Sequence, residues 1–187
     1  NGYIKRVKAS AFRAQRRGGK GITTAVKDED EIASILSTKN HNILLFFTNT
    51  GRVFRIPAYE IPEMQRTAKG QPIVQSLALA KDESVSAIVD LTGTTGNHLF
   101  LISALGVVKR IDMSEIANIR ASGLIVMKPH DGDSLRWVRV TDGTDNILMV
   151  SRGGKAIQFA ETDVRVMGRA AAGVRGMKVA KDDSLIE

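Results

Sequence analysis

Short apolar runs recur along the chain, and each is followed by a glycine-containing turn and a second apolar run. The first runs of these pairs cover residues 43–48, 99–103 and 147–151. Runs of this length that are bounded by turn residues and rich in β-branched or aromatic side chains are typical of strands. Glycine supplies the positive φ that a tight hairpin turn requires. The pattern therefore predicts a series of β-hairpins.

The second run of each hairpin begins at a repeated landmark, a glycine followed by a strand that ends in a basic or polar residue and an apolar one. These anchor glycines are Gly2, Gly51, Gly106 and Gly154. Three copies share a later glycine, and in every copy an acidic turn precedes another apolar strand. Self-similarity at a fixed period indicates a repeat architecture. The acidic turns lie at residues 28–31, 82–84, 131–134 and 182–184.

About four strands in each repeat of about 50 residues is the size of one propeller blade. A single blade cannot bury its apolar face alone, so the copies must pack against one another. We expect an all-β, propeller-like array of four-stranded blades that forms one repeat domain over residues 1–187. The expected repeats are 1–49, 50–104, 105–152 and a truncated 153–187, or about three and a half blades.

The two ends of this array are incomplete, because the first copy lacks the strand before its glycine and the fourth stops early. Unpaired strand edges favour further pairing. We interpret the chain as a fragment of a longer array. The alternative is that the two incomplete ends pair with each other.

The amino-acid composition excludes several kinds of functional site and partner. The chain has no cysteine, which excludes disulfides, zinc–thiolate sites and cysteine nucleophiles. No apolar run reaches the ~20 residues of a membrane-spanning helix, so no membrane partner is expected. Aromatic residues make up 5% of the chain, too few to favour base stacking as the mode of recognition.

Positive charge is concentrated at the start of the chain. Residues 1–27 contain eight of the 27 basic residues and no acidic one, whereas residues 28–187 contain 19 basic and 20 acidic residues. A basic segment on an otherwise neutral body is typical of a polyanion site. The alternative is a solvated basic surface or arm.

The densest signal is a loop of two arginines, a lysine and three glycines at residues 15–21. Glycine lets backbone N–H groups approach a phosphate, and arginine and lysine match its charge. The pattern favours contact with a nucleic-acid backbone, although a solvated loop with structural glycines has the same composition. The loop consists of Gln15, Arg16, Arg17, Gly18, Gly19, Lys20 and Gly21.

The matching loops of the other copies each keep at least one arginine. If the blades surround an axis, these loops form a curved basic rim that suits a bent duplex. Cations on the rim offset the cost of bending, because duplex DNA carries one charge per ~1.7 Å. The predicted DNA-binding residues outside this loop are Lys5, Arg6, Arg13, Arg55, Arg66, Lys69, Lys109, Arg110, Arg120, Arg169 and Arg175.

The sequence gives little support for nucleotide binding, metal binding or catalysis. The loop does not match a Walker A sequence, because Ala14 replaces its first glycine and Gly21 stands where a Ser or Thr is needed. His41, His98 and His130 lack ligand spacing. Paired acids recur at one repeat position, which favours a structural turn. We therefore expect no catalytic residue and no metal site.

The sequence QRRGGKG at residues 15–21 resembles the gyrase-A box of the C-terminal domain of the A subunit of bacterial DNA gyrase. The repeat length and residues 171–177 agree with that family. The related domain of topoisomerase IV has a degraded or missing box, which favours gyrase. The resemblance implies a β-pinwheel, usually of six blades, of which this chain is a fragment.

The resemblance also implies a function. The family binds duplex DNA, largely independently of sequence, and wraps it with positive handedness, which supports ATP-dependent negative supercoiling by the A2B2 enzyme. Partners would be the breakage-reunion domain and gyrase B, in the bacterial cytoplasm and associated with the nucleoid. ATP and Mg²⁺ would act elsewhere, so no cofactor is expected here. The alternatives are a topoisomerase IV-type domain and a propeller-like protein-interaction scaffold.

Overall fold

The computed structural model describes residues 2–24, 31–92 and 94–186. These ranges contain twelve strands, five short 3-10 helices and no α-helix, so the expected all-β fold is confirmed. None of their helices is long and apolar enough to cross a bilayer. The strands are β1 (Tyr3–Ile4), β2 (Ile43–Thr48), β3 (Arg52–Pro57), β4 (Gln71–Pro72), β5 (Val85–Asp90), β6 (His98–Ser103), β7 (Val107–Asp112), β8 (Leu124–Ile125), β9 (Leu135–Thr141), β10 (Asn146–Val150), β11 (Ala156–Ala160) and β12 (Val174–Arg175). The 3-10 helices are Ala9–Ala11, Ala58–Glu60, Ile73–Gln75, Met113–Ile116 and Glu161–Asp163.

The three predicted hairpins are present. They are β2–β3, β6–β7 and β10–β11, each antiparallel and closed at the expected glycine-containing turn. The strand that follows the acidic turn then pairs with the first strand of the hairpin, β5 with β2 and β9 with β6. When the repeats are counted from the first strand of each hairpin, as residues 43–90 and 98–141, each of these two repeats builds three strands of a sheet from its own residues.

The fourth strand of each sheet comes from the next repeat. The two four-stranded sheets have the orders β5-β2-β3-β8 and β12-β7-β6-β9, and β4 pairs with β1 in the same way. Neighbouring blades are therefore interlocked as well as packed. Among the described residues, no β-bridge joins the first copy to the fourth.

The later glycine of the repeat marks the place where this exchanged segment meets the preceding blade. A Cβ on Gly173 would lie 2.7 Å from the Val108 carbonyl oxygen, and one on Gly70 would lie 2.9 Å from that of Ile4. Both glycines also have positive φ, 93° and 96°. Only glycine combines that backbone conformation with so close an approach.

The core consists of apolar layers between successive blades. Leu45 and Phe47 of β2 pack in the layer shared with β6, whereas Leu44 and Phe46 face the opposite layer. Successive side chains of a strand point to opposite faces. Because both faces are covered, β2 reads as a continuous apolar run rather than an alternating one, as in other sheets buried on both sides.

Acidic residues of the turns accept hydrogen bonds from the ends of the hairpins. Glu83 is 1% exposed, and its carboxylate accepts hydrogen bonds from the hydroxyls of Thr48 and Thr50, both at 2.7 Å. Asp133 and Asp183 each accept a hydrogen bond from a backbone N–H of a hairpin turn. These contacts agree with the structural interpretation of the turns. The first turn, 28–31, lies outside the described residues except for its last position.

Candidate nucleic-acid interface

The box is an exposed loop closed by its own first residue. The Gln15 side chain accepts a hydrogen bond from the Gly21 N–H and donates one to the Gly21 carbonyl, both at 3.0 Å. A turn within the loop is closed by the Gly19 N–H, which donates to the Arg16 carbonyl at 3.0 Å. Gln15 therefore fixes the two ends of the loop relative to each other. The space beside Gly18 and Gly21 is open, with no atom within 4 Å of a Cβ placed there.

The three box cations are available to an external anion. Arg16, Arg17 and Lys20 are all exposed. None of them forms an ion pair with the acidic residues that the structure describes. The side chain of a solvated cation without an acidic partner can turn toward a phosphate without breaking an existing ion pair. The loop thus has the charge and the accessibility that backbone recognition requires.

Several other predicted cations are also exposed, namely Arg13, Arg55, Arg120 and Arg175. Lys69 is exposed too, and its ammonium lies 4.0 Å from the ring centroid of Tyr3.

One groove brings two of the predicted cations together. Arg120 from the loop of the third copy and Arg169 from the loop of the fourth line an open groove of about 790 Å³. Arg169 donates from Nε to Glu115 at 3.0 Å, which orients its guanidinium. The rest of the groove is lined by residues 118, 119 and 122–125. The loops of successive blades thus present their arginines to a shared space.

Two of the predicted contacts are wrong. Lys109 has no exposed surface, and its ammonium donates to the carbonyls of Val126, Arg169 and Ala171, each at 2.8 Å. Arg110 is 8% exposed and lies 3.5 Å from the carboxylate of Glu161. Their places on β7 put them on opposite faces of a sheet that neighbouring blades cover on both sides. Burial lowers the pKa of Lys109, and the charge of Glu115 opposes that shift.

Two further residues that were predicted to bind DNA, Lys5 and Arg6, are also engaged in contacts within the protein. Lys5 is half-buried and donates to the carbonyls of Arg66 and Ala68, at 2.6 and 2.5 Å. Arg6 is also half-buried and pairs with Glu63 at 3.0 Å. These two cations thus join the first copy to the second, rather than being free to contact an external anion. Arg66 is itself half-buried, so it is a weaker candidate than the exposed arginines.

The sequence pattern missed Glu161, the buried acid that lies beside Arg110. Glu161 is fully buried, and one of its carboxylate oxygens accepts the N–H groups of Gly143 and Asp145, at 2.6 and 3.0 Å. Burial alone would raise its pKa, but the nearby Thr141 hydroxyl, the hydrogen bonds from these two amides and the nearby Arg110 guanidinium lower it. Carboxylate oxygens of Asp142 and Asp145 lie within 4.8 Å of it. The backbone donors and Arg110 give Glu161 a structural role.

The fold and these loops define a class: a β-pinwheel, in which a strand of one repeat completes the blade before it and the loops between strands are basic and exposed. The family model described as the DNA gyrase C-terminal domain, a beta-propeller, matches residues 1–39, 42–90, 97–142 and 145–186. The chain belongs to this family. The matched segment 42–90 contains a whole hairpin, whereas the repeat boundary expected at 49/50 falls inside that hairpin.

Similar proteins agree with this assignment. The DNA gyrase A protein of Halalkalibacterium halodurans is 45% identical over 95% of this chain and 22% of its own length. The corresponding DNA gyrase A protein of Salmonella typhimurium is 39% identical over 99% of the chain and 21% of its own length. The chain thus spans about a fifth of the length of these relatives.

Two solved structures share the fold over the whole chain. The C-terminal domain of DNA topoisomerase IV superposes with a TM-score of 0.79 at 26% identity, and the chain covers 57% of it. The C-terminal domain of DNA gyrase A gives a TM-score of 0.77 at 28% identity, with 60% covered.

Proposed function

We propose that this chain binds duplex DNA along its rim and wraps it, as the DNA-wrapping module of a DNA gyrase. The observation that carries the proposal is the box loop, in which Arg16, Arg17 and Lys20 are exposed and have no acidic partner among the described residues. Family membership supports the same conclusion. Arginine forks match phosphate oxygens, and lysine adds a mobile charge.

Recognition through phosphates makes binding largely independent of sequence, because phosphates carry no direct sequence information. The loops of successive blades would meet the duplex one after another, beginning at the box and continuing through Arg120 and Arg169. Contacts spread along a curved edge favour a bent path for the duplex, and their electrostatic gain offsets the cost of bending. Positive wrapping in the whole enzyme would bias strand passage toward negative supercoiling.

The remaining steps of that reaction would belong to other parts of the enzyme. We propose that the chain acts with the breakage-reunion domain and gyrase B in an A2B2 complex, in the bacterial cytoplasm at the nucleoid. We propose that it uses no cofactor of its own, with ATP and Mg²⁺ acting in the rest of the complex.

The likeness to the topoisomerase IV domain gives a second candidate, a module that binds DNA but wraps it weakly. The intact box at 15–21 favours the gyrase role. A protein-interaction scaffold is the third candidate, and salt-sensitive binding to any duplex would separate it from both DNA-binding roles.

Replacing the three box cations tests the phosphate contacts. The variant R16A/R17A/K20A should flatten the slope of log K against log salt by about 2.7, because each lost phosphate contact removes about 0.9. Fluorescence anisotropy with a short duplex at several salt concentrations measures this slope. The control K81A/K128A/K181A removes the same charge from exposed positions outside the box. An equal slope for the box variant and the unchanged chain would contradict the proposal.

A further inference from the structure

Two buried or half-buried lysines hold the backbone of loops that belong to the next repeat. Lys109 donates to the carbonyls of Arg169 and Ala171 in the fourth copy. Lys5 donates to the carbonyls of Arg66 and Ala68 in the second copy. The two lysines occupy the same repeat position, three residues after the anchor glycine. In both cases one of the residues whose carbonyl is held is a predicted rim arginine.

The remaining loop is held by a different cation. Phe54 stands at the repeat position of the two lysines, and the guanidinium of Arg52 lies 4.8 Å from the centroid of its ring. Arg52 donates to the carbonyl of Ser122, in the loop that carries Arg120. In the described part of the chain, all three rim loops outside the box are therefore fixed by a cation of the preceding repeat.

A charged donor suits this position because one ammonium can hold several loop carbonyls at once. An ammonium has three N–H donors, and Lys109 uses one for each of its three carbonyls. Hydrogen bonds from charged donors are stronger than those between neutral groups. Carbonyls that folding removes from water and leaves without a donor are costly. Removal of the ammonium should therefore loosen residues 169–171, while β12 stays paired with β7.

We propose that Lys5 and Lys109 are positioning residues for DNA binding. Each fixes the loop on which a rim arginine stands, so the preceding blade sets the place of that arginine along the duplex. This inference rests on the proposed function. The DNA contact is made by Arg169, and Lys109 acts only through it.

A double-mutant cycle tests this dependence. K109M keeps the aliphatic side chain but removes the ammonium, and R169A removes the cation on the loop. Each single variant should lower the salt slope of duplex binding by about 0.9, the value for one phosphate contact. The salt slope of the double variant should be no lower than that of R169A alone, because both changes remove the same phosphate contact. K181M, which removes one exposed charge outside the loops, should leave the slope unchanged.

The possible results distinguish failure of the proposed DNA binding from failure of the positioning role of the two lysines. Binding by the unchanged chain that does not depend on salt would overturn the proposed function. Salt-dependent binding in which K109M and R169A lower the slope additively, or in which K109M leaves it unchanged, would overturn the positioning role alone. If K109M does not fold, as judged by circular dichroism, the cycle of K5M with K69A decides, because Lys5 is only half-buried and Lys69, which follows the held Ala68 carbonyl, is exposed. Additive effects, or no effect of K5M, in that cycle overturn the positioning role.

Discussion

At the scale of single residues, one buried carboxylate, that of Glu83, holds the end of the β2–β3 hairpin. Glu83 accepts hydrogen bonds from Thr48, Thr50 and the Ala80 N–H, and it pairs with Arg52 at 2.8 Å. Burial alone would raise its pKa, but these donors and the charge of Arg52 lower it. A carboxylate whose pKa is lowered by folding stabilises the fold when ionised.

This lowered pKa sets the direction of a pH effect. E83Q should reduce the free energy of unfolding by about 1–3 kcal/mol at pH 7, because it removes a charge-assisted acceptor. The stabilisation by Glu83 is present above its unfolded-state pKa of about 4.3 and is lost as the pH falls through the lower folded-state value. Urea unfolding at pH 7 and pH 3 should therefore show the difference between the two proteins shrinking in acid.

The matched control is E60Q, which changes an exposed glutamate and should leave stability unchanged. A difference between E83Q and the unchanged protein that is equally large at pH 7 and pH 3 would show that the charge of Glu83 is not what stabilises the turn.

At the scale of elements, the exchanged strands depend on close backbone approach. β12 pairs with β7 beside Gly173, where the chain comes close to the preceding blade. The exchange makes each blade part of the folding unit of its neighbour. We therefore expect a change at this glycine to weaken two blades together.

G173A tests that expectation. Alanine at this positive φ costs about 1–2 kcal/mol by itself, and its Cβ would also meet the Val108 carbonyl oxygen at 2.7 Å. G143A is the control, because Gly143 has a φ of 101° and no atom within 4 Å of its Cβ position. G173A should lower the melting temperature more than G143A. Equal losses would mean that the backbone contact at β7 does not limit stability.

The hairpins were predictable because their signals are local, as with the glycine turn before Arg52. The exchange of strands was not, since the pairing of Val174 with Val108 joins distant residues whose sequences carry no mark of each other. The exposure of the box followed from its charge and glycines. The burial of Lys109 did not, because it depends on the loop of another repeat that covers it.

At the scale of the whole molecule, the interlocked blades act as a scaffold for spaced cations. Successive loops meet at shared grooves such as the one lined by Arg120 and Arg169. In the proposed function, the charge of one loop alone is weak, and bending would require several loops to contact one duplex. Loss of the box should therefore reduce wrapping more than it reduces affinity, because the remaining loops still hold DNA.

The most direct test is the topology of plasmid DNA relaxed by a type I topoisomerase in the presence of this chain. Positive wrapping predicts a positive change in linking number that grows with the protein-to-DNA ratio. It also predicts that R16A/R17A/K20A loses most of this shift while it still binds duplex. The absence of any shift with the unchanged chain at saturating concentration, or an equal shift with the box variant, would contradict the claim that these cations hold a bent duplex.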